Sequence, residues 1–433
     1  MRLVAIMIFL IMLTTSLAGC TGDNNELNLA NDRIDELEAQ AATDDMSYQK
    51  LMNDFTNQSI LINQLQNNCC TFDDMYDAMQ EGYDMGLADS NQVSTLDTII
   101  DRGYMNCGVK TSQYGMGYQD ASTGAYSGLD IEYCRGIAAA IGLNPEEDIN
   151  YVLATGSNRF DLLAYGDIDV LIRTTTWTAS RDAGLNADFS GINFYDGQGI
   201  LVRSDFITAT DAGNSAYELD GANICVGIGT TTEGNLQDWF FTSGISFNTV
   251  GVSSSSEGIA NFIDGSCDAF TGDMSAMVAH KHRIDSDDSM NGVDIWIAQE
   301  ALSKEPLSAA TRDYDSDWNE IVSWVWYAMV TAEEMGISST NYGSADTSDP
   351  SVDRLLYSNL GLGTDANPLN YTWMQDVLGV VGNYGEAYDR AFCDGSYDGV
   401  SGSDAMTGCL ISRSGTYNAL VSEGGLQYSP PMR

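Results

Sequence analysis

Residues Gly166 to Asp182 read GDIDVLIRTTTWTASRD. Gly166 follows the apolar helical pattern FDLLAY, and a glycine there supplies the left-handed conformation that ends a helix. Residues 169–172 predict a short buried strand. Three hydroxyls, on Thr174, Thr175 and Thr176, leave its carboxyl end, and Arg181 follows within reach. In open α/β sheets ligands gather outside the carboxyl ends of strands, so these groups face a crevice as hydrogen-bond donors beside a fixed positive fork. That donor set suits a small carboxylate.

The flanking sequence alternates in the same manner. TLDTIIDRG at 95–103 predicts a helix ended by Gly103, YMNCGVK a strand, and SGLDIEYCRGIAAAIG a helix ended by Gly142. Alternating strands and helices imply mainly parallel sheets in an α/β fold. FDLLAYGDIDVLI at 160–172 is echoed by IANFIDGSCDAFT at 259–271: an apolar helix end, a glycine, two residues, an aspartate, then a strand. Asp273 follows the second strand as the threonines follow the first. Two similar lobes with polar groups at facing strand ends predict a cleft between them. In the second half, 223–228 reads as a strand, and Gly229, Thr230, Thr231, Thr232 and Glu233 open a helix through Trp239. Free backbone N–H groups at a helix start form an anion site. Thr230 and Glu233 equally fit a capping box that needs no ligand, and both readings stand at this point.

The 433-residue chain carries 62 acidic against 18 basic residues, a formal charge of −44. That excess excludes nucleic acid and anionic lipid surfaces as partners and suits saline surroundings, where salt screens self-repulsion. The first twenty residues, MRLVAIMIFLIMLTTSLAGC, have one Arg, an apolar run and a small-residue end, a secretory signal pattern. Leu17-Ala18-Gly19-Cys20 resembles the lipobox of prokaryotic lipoproteins. Cys20 is thus the expected lipidation site, which places the mature protein outside the cytoplasm, anchored to the outer face of the cell membrane; simple cleavage near Ala18 is the alternative. That location licenses disulfides among the remaining cysteines. The nearest-neighbour pairs are Cys107 with Cys134, Cys225 with Cys267, and Cys393 with Cys409. With two histidines and no CxxC pair, neither a metal site nor a cofactor is expected. His280 and His282, in AHKH, are placed on a solvated helix face.

From Leu27 a seven-residue register runs through Leu27, Ile34, Ala41, Tyr48, Phe55, Ile62 and Cys69 at one core position, and Ala30, Leu37, Asp44, Leu51, Gln58 and Leu65 at the other. This is a coiled-coil seam, roughly 60 Å long at 1.5 Å per residue. It predicts a stalk and a parallel homodimer in which Cys69 faces its mate, with Cys70 beside it; a single amphipathic helix folded back on the body is the alternative. The expected domain plan is a signal peptide at 1–19, a stalk at 20–70, a linker at 71–94, a first lobe at 95–199 and 303–433, and a second lobe at 200–302.

TLDTIIDRG, CGVKT, GLDIEYCRGIAAAI, RTTTWTASRD, DFSGINFYDGQG, GTTTEGNL, SKEPL, GNYGEAYDR and the terminal GGLQYSPPMR together resemble the amino-acid-binding proteins of ABC importers, most closely those for general or polar L-amino acids. The resemblance covers residues 95–433 and implies a two-lobed type II periplasmic-binding-protein fold, here with an added N-terminal coiled-coil helix. It implies that Arg181 holds the ligand α-carboxylate with the Thr231 backbone N–H and the Thr176 hydroxyl, a fork plus a helix-terminal donor. Asp273, with the Thr174 carbonyl, would hold the α-ammonium. Tyr114 and Tyr118 lie where the family places an aromatic wall, although QYGMGY replaces its usual Pro and Phe spacing, and Thr174 replaces a common Asn. Trp177 lines the pocket or packs the loop. The pairs 107 with 134 and 225 with 267 also match the family.

Such a protein captures L-amino acids and delivers them to an ABC permease, with no catalytic residue. A receptor subunit and a dehydratase-like enzyme on the same scaffold are the alternatives. For the stalk, non-reducing electrophoresis of the full chain is expected to show a disulfide-linked dimer that diminishes in Cys69→Ser; only monomer in the unaltered chain refutes the interchain bond.

Overall fold

The computed structural model describes residues 94–433 apart from Asp288, Ser289 and Asn291. The signal peptide, Cys20, and the stalk with Cys69 and Cys70 lie outside the described residues. The body opens with α1 (Thr95–Arg102) and β1 (Met105–Val109), and β2 (Ser112–Gln113), β3 (Gly117–Gln119) and β4 (Tyr126–Ser127) form a small antiparallel sheet. Next come α2 (Leu129–Ala140), β5 (Ile149–Leu153), α3 (Arg159–Tyr165), β6 (Val170–Leu171), α4 (Ala179–Gly184) and the long β7 (Ala187–Arg203). Then follow β8 (Ala222–Gly227), α5 (Thr231–Ser243), β9 (Phe247–Val252), α6 (Ser255–Asp264), β10 (Ala269–Asp273), α7 (Met274–Asp287) and β11 (Ile295–Ile297). The chain returns through β12 (Lys304–Arg312) and continues into α8 (Ser316–Glu334), α9 (Pro350–Tyr357), α10 (Trp373–Val380) and α11 (Tyr384–Phe392).

The main sheet runs β5-β1-β6-β12-β7-β10-β8-β9, with β11 on β7. β5, β1 and β6 are parallel, as are β9, β8 and β10. Between these triplets lie β7 and β12, antiparallel to each other from Ala187↔Arg312 to Lys304↔Gly197. β7 belongs to both lobes: Ala187, Phe189 and Phe194 enter the cores of the first, Ile200, Leu201 and Val202 those of the second. The return segment crosses beside it, Ala298 N–H bonding Ile200 O and Leu302 N–H bonding Gln198 O, both at 2.9 Å. Gly191 sits at an irregularity of the β7–β12 ladder with φ 91°, and a Cβ there would lie 2.2 Å from the Tyr327 hydroxyl. Only glycine fits this place.

The sequence echo has a physical cause. Gly166 and Gly265 end α3 and α6 in the left-handed conformation, at φ 78° and 85°. The aspartate three residues on then accepts the backbone N–H of the neighbouring strand: Asn106 N to Asp169 at 2.6 Å, Asn223 N to Asp268 at 2.8 Å. Each motif therefore ends a helix and pins a parallel strand in register, which leaves the strand's far end free to carry functional residues.

α8 buries Trp318, Ile321, Val322, Val325, Trp326 and Met329 along one face, and the Trp318 indole N–H donates to Asp169 O at 2.9 Å. The C-terminal tail wraps the first lobe. Arg413 and Glu333 form a fully buried bidentate ion pair, and Asn418 brackets the backbone of Tyr195 on β7, accepting its N–H at 2.8 Å and donating to its O at 3.0 Å. Such a pair tolerates burial because each charge is answered by several hydrogen bonds. Disulfides join Cys107 to Cys134, Cys225 to Cys267 and Cys393 to Cys409, tying β1 to α2, β8 to the turn before β10, and the ends of a tail loop. Among the described residues no helix is long and apolar enough to cross a membrane.

Candidate functional site

The carboxyl ends of β1, β6, β8 and β10 deliver, in turn, Lys110, Arg173 to Thr176, Thr231 and Asp273. Arg181 comes from the short α4, whose first turn is fixed by Thr178: its hydroxyl accepts the Arg181 N–H at 3.3 Å. The guanidinium is buried, donates to Thr176 O at 2.8 Å and sits 5.6 Å above the Phe160 ring. Burial lowers its pKa, while the carboxylates of Glu305 and Asp273 oppose that shift. Arg181 of the first lobe and Asp273 of the second thus feel each other across the lobe boundary.

Glu305, wholly buried on β12, bonds to both lobes. It accepts hydrogen bonds from the Thr176 hydroxyl of the first lobe and from the Thr231 hydroxyl (2.8 Å) and Asn235 amide (2.7 Å) of α5 in the second. Ser303, in the returning segment, adds a fourth at 2.6 Å. The Thr176 and Thr231 hydroxyls lie 3.3 Å apart. A buried carboxylate is tolerable with this many donors, and parting the lobes would take it from the donors of one lobe or the other.

A second cross-lobe group lies beside Asp273. Lys110 Nζ is 3.6 Å from the Asp273 carboxylate and donates to Gln113 at 2.7 Å; burial brings the Lys110 pKa down to about 8. Gln113 donates to the Ser275 hydroxyl at 2.8 Å, and Ser275 donates to Asp196 on β7. Asp196 is pushed up to about 7 by burial and then by Asp273. Arg159, first residue of α3, donates to Gly156 O at 2.8 Å and across to Gly229 O at 3.5 Å in the second lobe. Arg173 is nine-tenths buried and makes no hydrogen bond among the described residues.

Of the other residues marked from sequence, Thr174 is buried with φ 48°, its N–H bonded to Asp130 at 3.1 Å and its hydroxyl unpartnered. Tyr114 is half exposed, edge-on to Tyr118 at 5.6 Å and 6.5 Å from the His282 ring of the second lobe. Trp177 lies flat against Phe189 at 5.7 Å, so it packs the loop on one face and meets solvent on the other. Thr230 caps α5 by accepting the Glu233 N–H at 3.3 Å, but Glu233 returns its bond to Gly229 N–H at 3.0 Å instead of to the cap residue. The expectation for His280 needs correction. It is buried against Phe270, its Nε2 lies 3.0 Å from the Ser255 hydroxyl, and burial lowers its pKa to about 3. α7 packs that face onto β10, and only His282 is exposed.

Glu305, Arg173, Arg159, Lys110, Asp130 and Asp196 were not singled out from sequence. The signal for Arg173 lay inside RTTTW, an arginine at a strand end where an apolar residue would otherwise continue. Glu305 lies inside the SKEPL segment, but nothing local marks it, since three of its four donors come from two distant segments. Among the described residues no cluster of His, Cys, Asp and Glu could hold a metal ion.

Residues 105–342 match the sequence profile of bacterial extracellular solute-binding proteins, family 3. The chain is 37% identical over 349 residues to the glutamate/glutamine/aspartate/asparagine-binding protein of Rhodobacter capsulatus, covering 80% of this chain and 96% of that one. It is also 37% identical over 349 residues to the general L-amino acid-binding periplasmic protein of Rhizobium johnstonii, covering 80% and 95%. A solved ABC transporter periplasmic binding protein from Brucella ovis, with glutathione bound, superposes with a TM-score of 0.68 at 36% identity, covering 79% of this chain and 100% of that one.

If Glu305 holds the lobes together, Glu305→Ala leaves donors on both lobes unpartnered and favours an open form. Small-angle scattering of the unliganded variant is expected to give a larger radius of gyration than the unaltered protein; an equal radius refutes the joining role.

Proposed function

The chain belongs to the bacterial extracellular solute-binding proteins of family 3, and on that premise we propose that it captures an L-amino acid between its lobes and presents it to an ABC importer. The observation that carries the reading is a buried Arg181 on one lobe within electrostatic range of Asp273 on the other. A zwitterion answers both. The relatives from Rhodobacter capsulatus and Rhizobium johnstonii, whose names specify amino-acid ligands, support it.

In this reading Arg181 takes the α-carboxylate, with the Thr231 backbone N–H, which as the first residue of α5 has no acceptor within its helix. The Thr176 hydroxyl completes that side by turning its single proton from Glu305 to the ligand. Asp273 and the Thr174 carbonyl take the ammonium, releasing Asp273 from full dependence on Lys110. Tyr114, Tyr118 and the exposed face of Trp177 border the side chain. A ligand that touches both lobes favours the closed form by its differential affinity for it, and the permease reads that form. Nothing in this scheme requires bond chemistry, and the protein acts as a carrier.

Lipidation at Cys20 and a dimeric stalk belong to the same proposal, holding the carrier near its permease on the outer face of the membrane. Metabolic labelling with a fatty acid is expected to mark the protein and to fail in Cys20→Ser; labelling of both refutes the anchor.

Calorimetry against the twenty L-amino acids is expected to find binding to at least one, and no binding to any overturns the reading. Arg181→Ala is expected to weaken that binding by about 100-fold or more, the scale of a lost buried charge pair, with the fold intact by circular dichroism. Retained affinity refutes its role.

A further inference from the structure

We propose that Arg173 binds a second carboxylate, on the side chain of the ligand, so that the cleft selects dicarboxylic amino acids; this rests on the amino-acid reading above and specifies its side-chain subsite. Four cations meet at the strand ends of the first lobe: Lys110, Arg159, Arg173 and Arg181. Three have partners. Arg181 donates to Thr176 O, Arg159 to Gly156 O and Gly229 O, and Lys110 to Gln113 while facing Asp273. Arg173 has none, although a guanidinium presents five N–H donors in a rigid fork and is buried here to nine-tenths.

A buried charged donor without an acceptor calls for a missing partner. The surroundings repeat the demand. The hydroxyls of Thr174 and Thr175, the two residues that follow, are also buried and unpartnered. Asp130 and Asp273 are near enough to raise the Arg173 pKa against the effect of burial, yet neither forms a direct ion pair with it. Asp130 offsets the Arg173 charge only from a distance: its Oδ2 accepts the Thr174 N–H and its Oδ1 is buried without a hydrogen-bond partner, so neither oxygen fills the guanidinium fork.

With Arg181 assigned to the α-carboxylate and Asp273 to the ammonium, the Arg173 guanidinium is the charged donor still without a direct acceptor. An anionic side chain neutralises it and fills the fork. An amide offers one acceptor oxygen and turns its NH2 toward cations, and an apolar side chain leaves the guanidinium unpaired. Sites built to bond a polar group reject analogues lacking it for that reason. The reach is short. Arg173 adjoins Thr174 and stands three residues before Thr176, both assigned above to the zwitterionic head, so the second carboxylate belongs close to that head, as in aspartate or glutamate.

The test is calorimetry of the full chain with L-glutamate, L-aspartate, L-glutamine, L-alanine and glutathione. The unaltered protein is expected to prefer glutamate to glutamine, and both glutamate and aspartate to alanine. In Arg173→Met the glutamate-to-glutamine affinity ratio is expected to fall about 100-fold, and Arg173→Lys to restore part of it. Arg181→Ala, by contrast, lowers glutamate and glutamine together. A wild-type ratio at or below one, an unchanged ratio in Arg173→Met, or tighter binding of glutathione than of either acidic amino acid overturns the proposal. Binding of glutamine or alanine without preference for the acids sinks this inference and leaves the amino-acid carrier standing. If Arg173→Met does not fold, the wild-type ratio decides by itself. Loss of binding to every ligand defeats both readings.

Discussion

The antiparallel ladder between β7 and β12 is the constraint on which the rest of the molecule depends. A strand long enough to serve two cores cannot tilt freely in either, so both lobes are tied to the register of that ladder. Gly191 and the neighbouring register shifts interrupt the ladder on the first-lobe side, and the tail fixes Tyr195 through Asn418. The parallel triplets on each side then have their carboxyl ends directed toward the same region. Each triplet is held in register by an aspartate just past a glycine cap, so the same local device is used twice.

Burial of charge at the lobe boundary is the second theme. A chain with 44 more acidic than basic residues places four of its 18 Lys and Arg side by side at strand ends. Those cations are kept from the acidic surface by burial, which lowers the pKa of each of the four. Such a group costs free energy unless an anion meets it, and Glu305, Asp273 and Asp130 meet it in part. The overall charge therefore says little about the ligand. What matters locally is which cation lacks an acceptor.

Much of the architecture was legible in the chain. Helix ends at Gly103 and Gly166, the strand after Gly166 and the repeat at 259–271 follow from short-range rules, because a left-handed glycine and a run of β-branched residues constrain the backbone wherever they stand. The three cysteine pairs were nearest neighbours in sequence and are bonded in the fold. His280 was misjudged for an equally physical reason. Helical spacing tells which residues share a face, but not which face meets β10, and α7 turns His280 inward.

Sequence by itself determined the α/β class, the two-lobed repetition and the clustering of threonines and Arg181 at a strand end, since these depend on local propensity and on period. Only the tertiary structure decided that Glu305 collects donors from both lobes, that Lys110 meets Asp273 and that Arg173 is left without a partner. Those relations join residues up to 163 positions apart, from Lys110 to Asp273. Such encounters are fixed by how β7 and the returning segment cross, and no local pattern in the chain encodes the distance between two strand ends on different lobes.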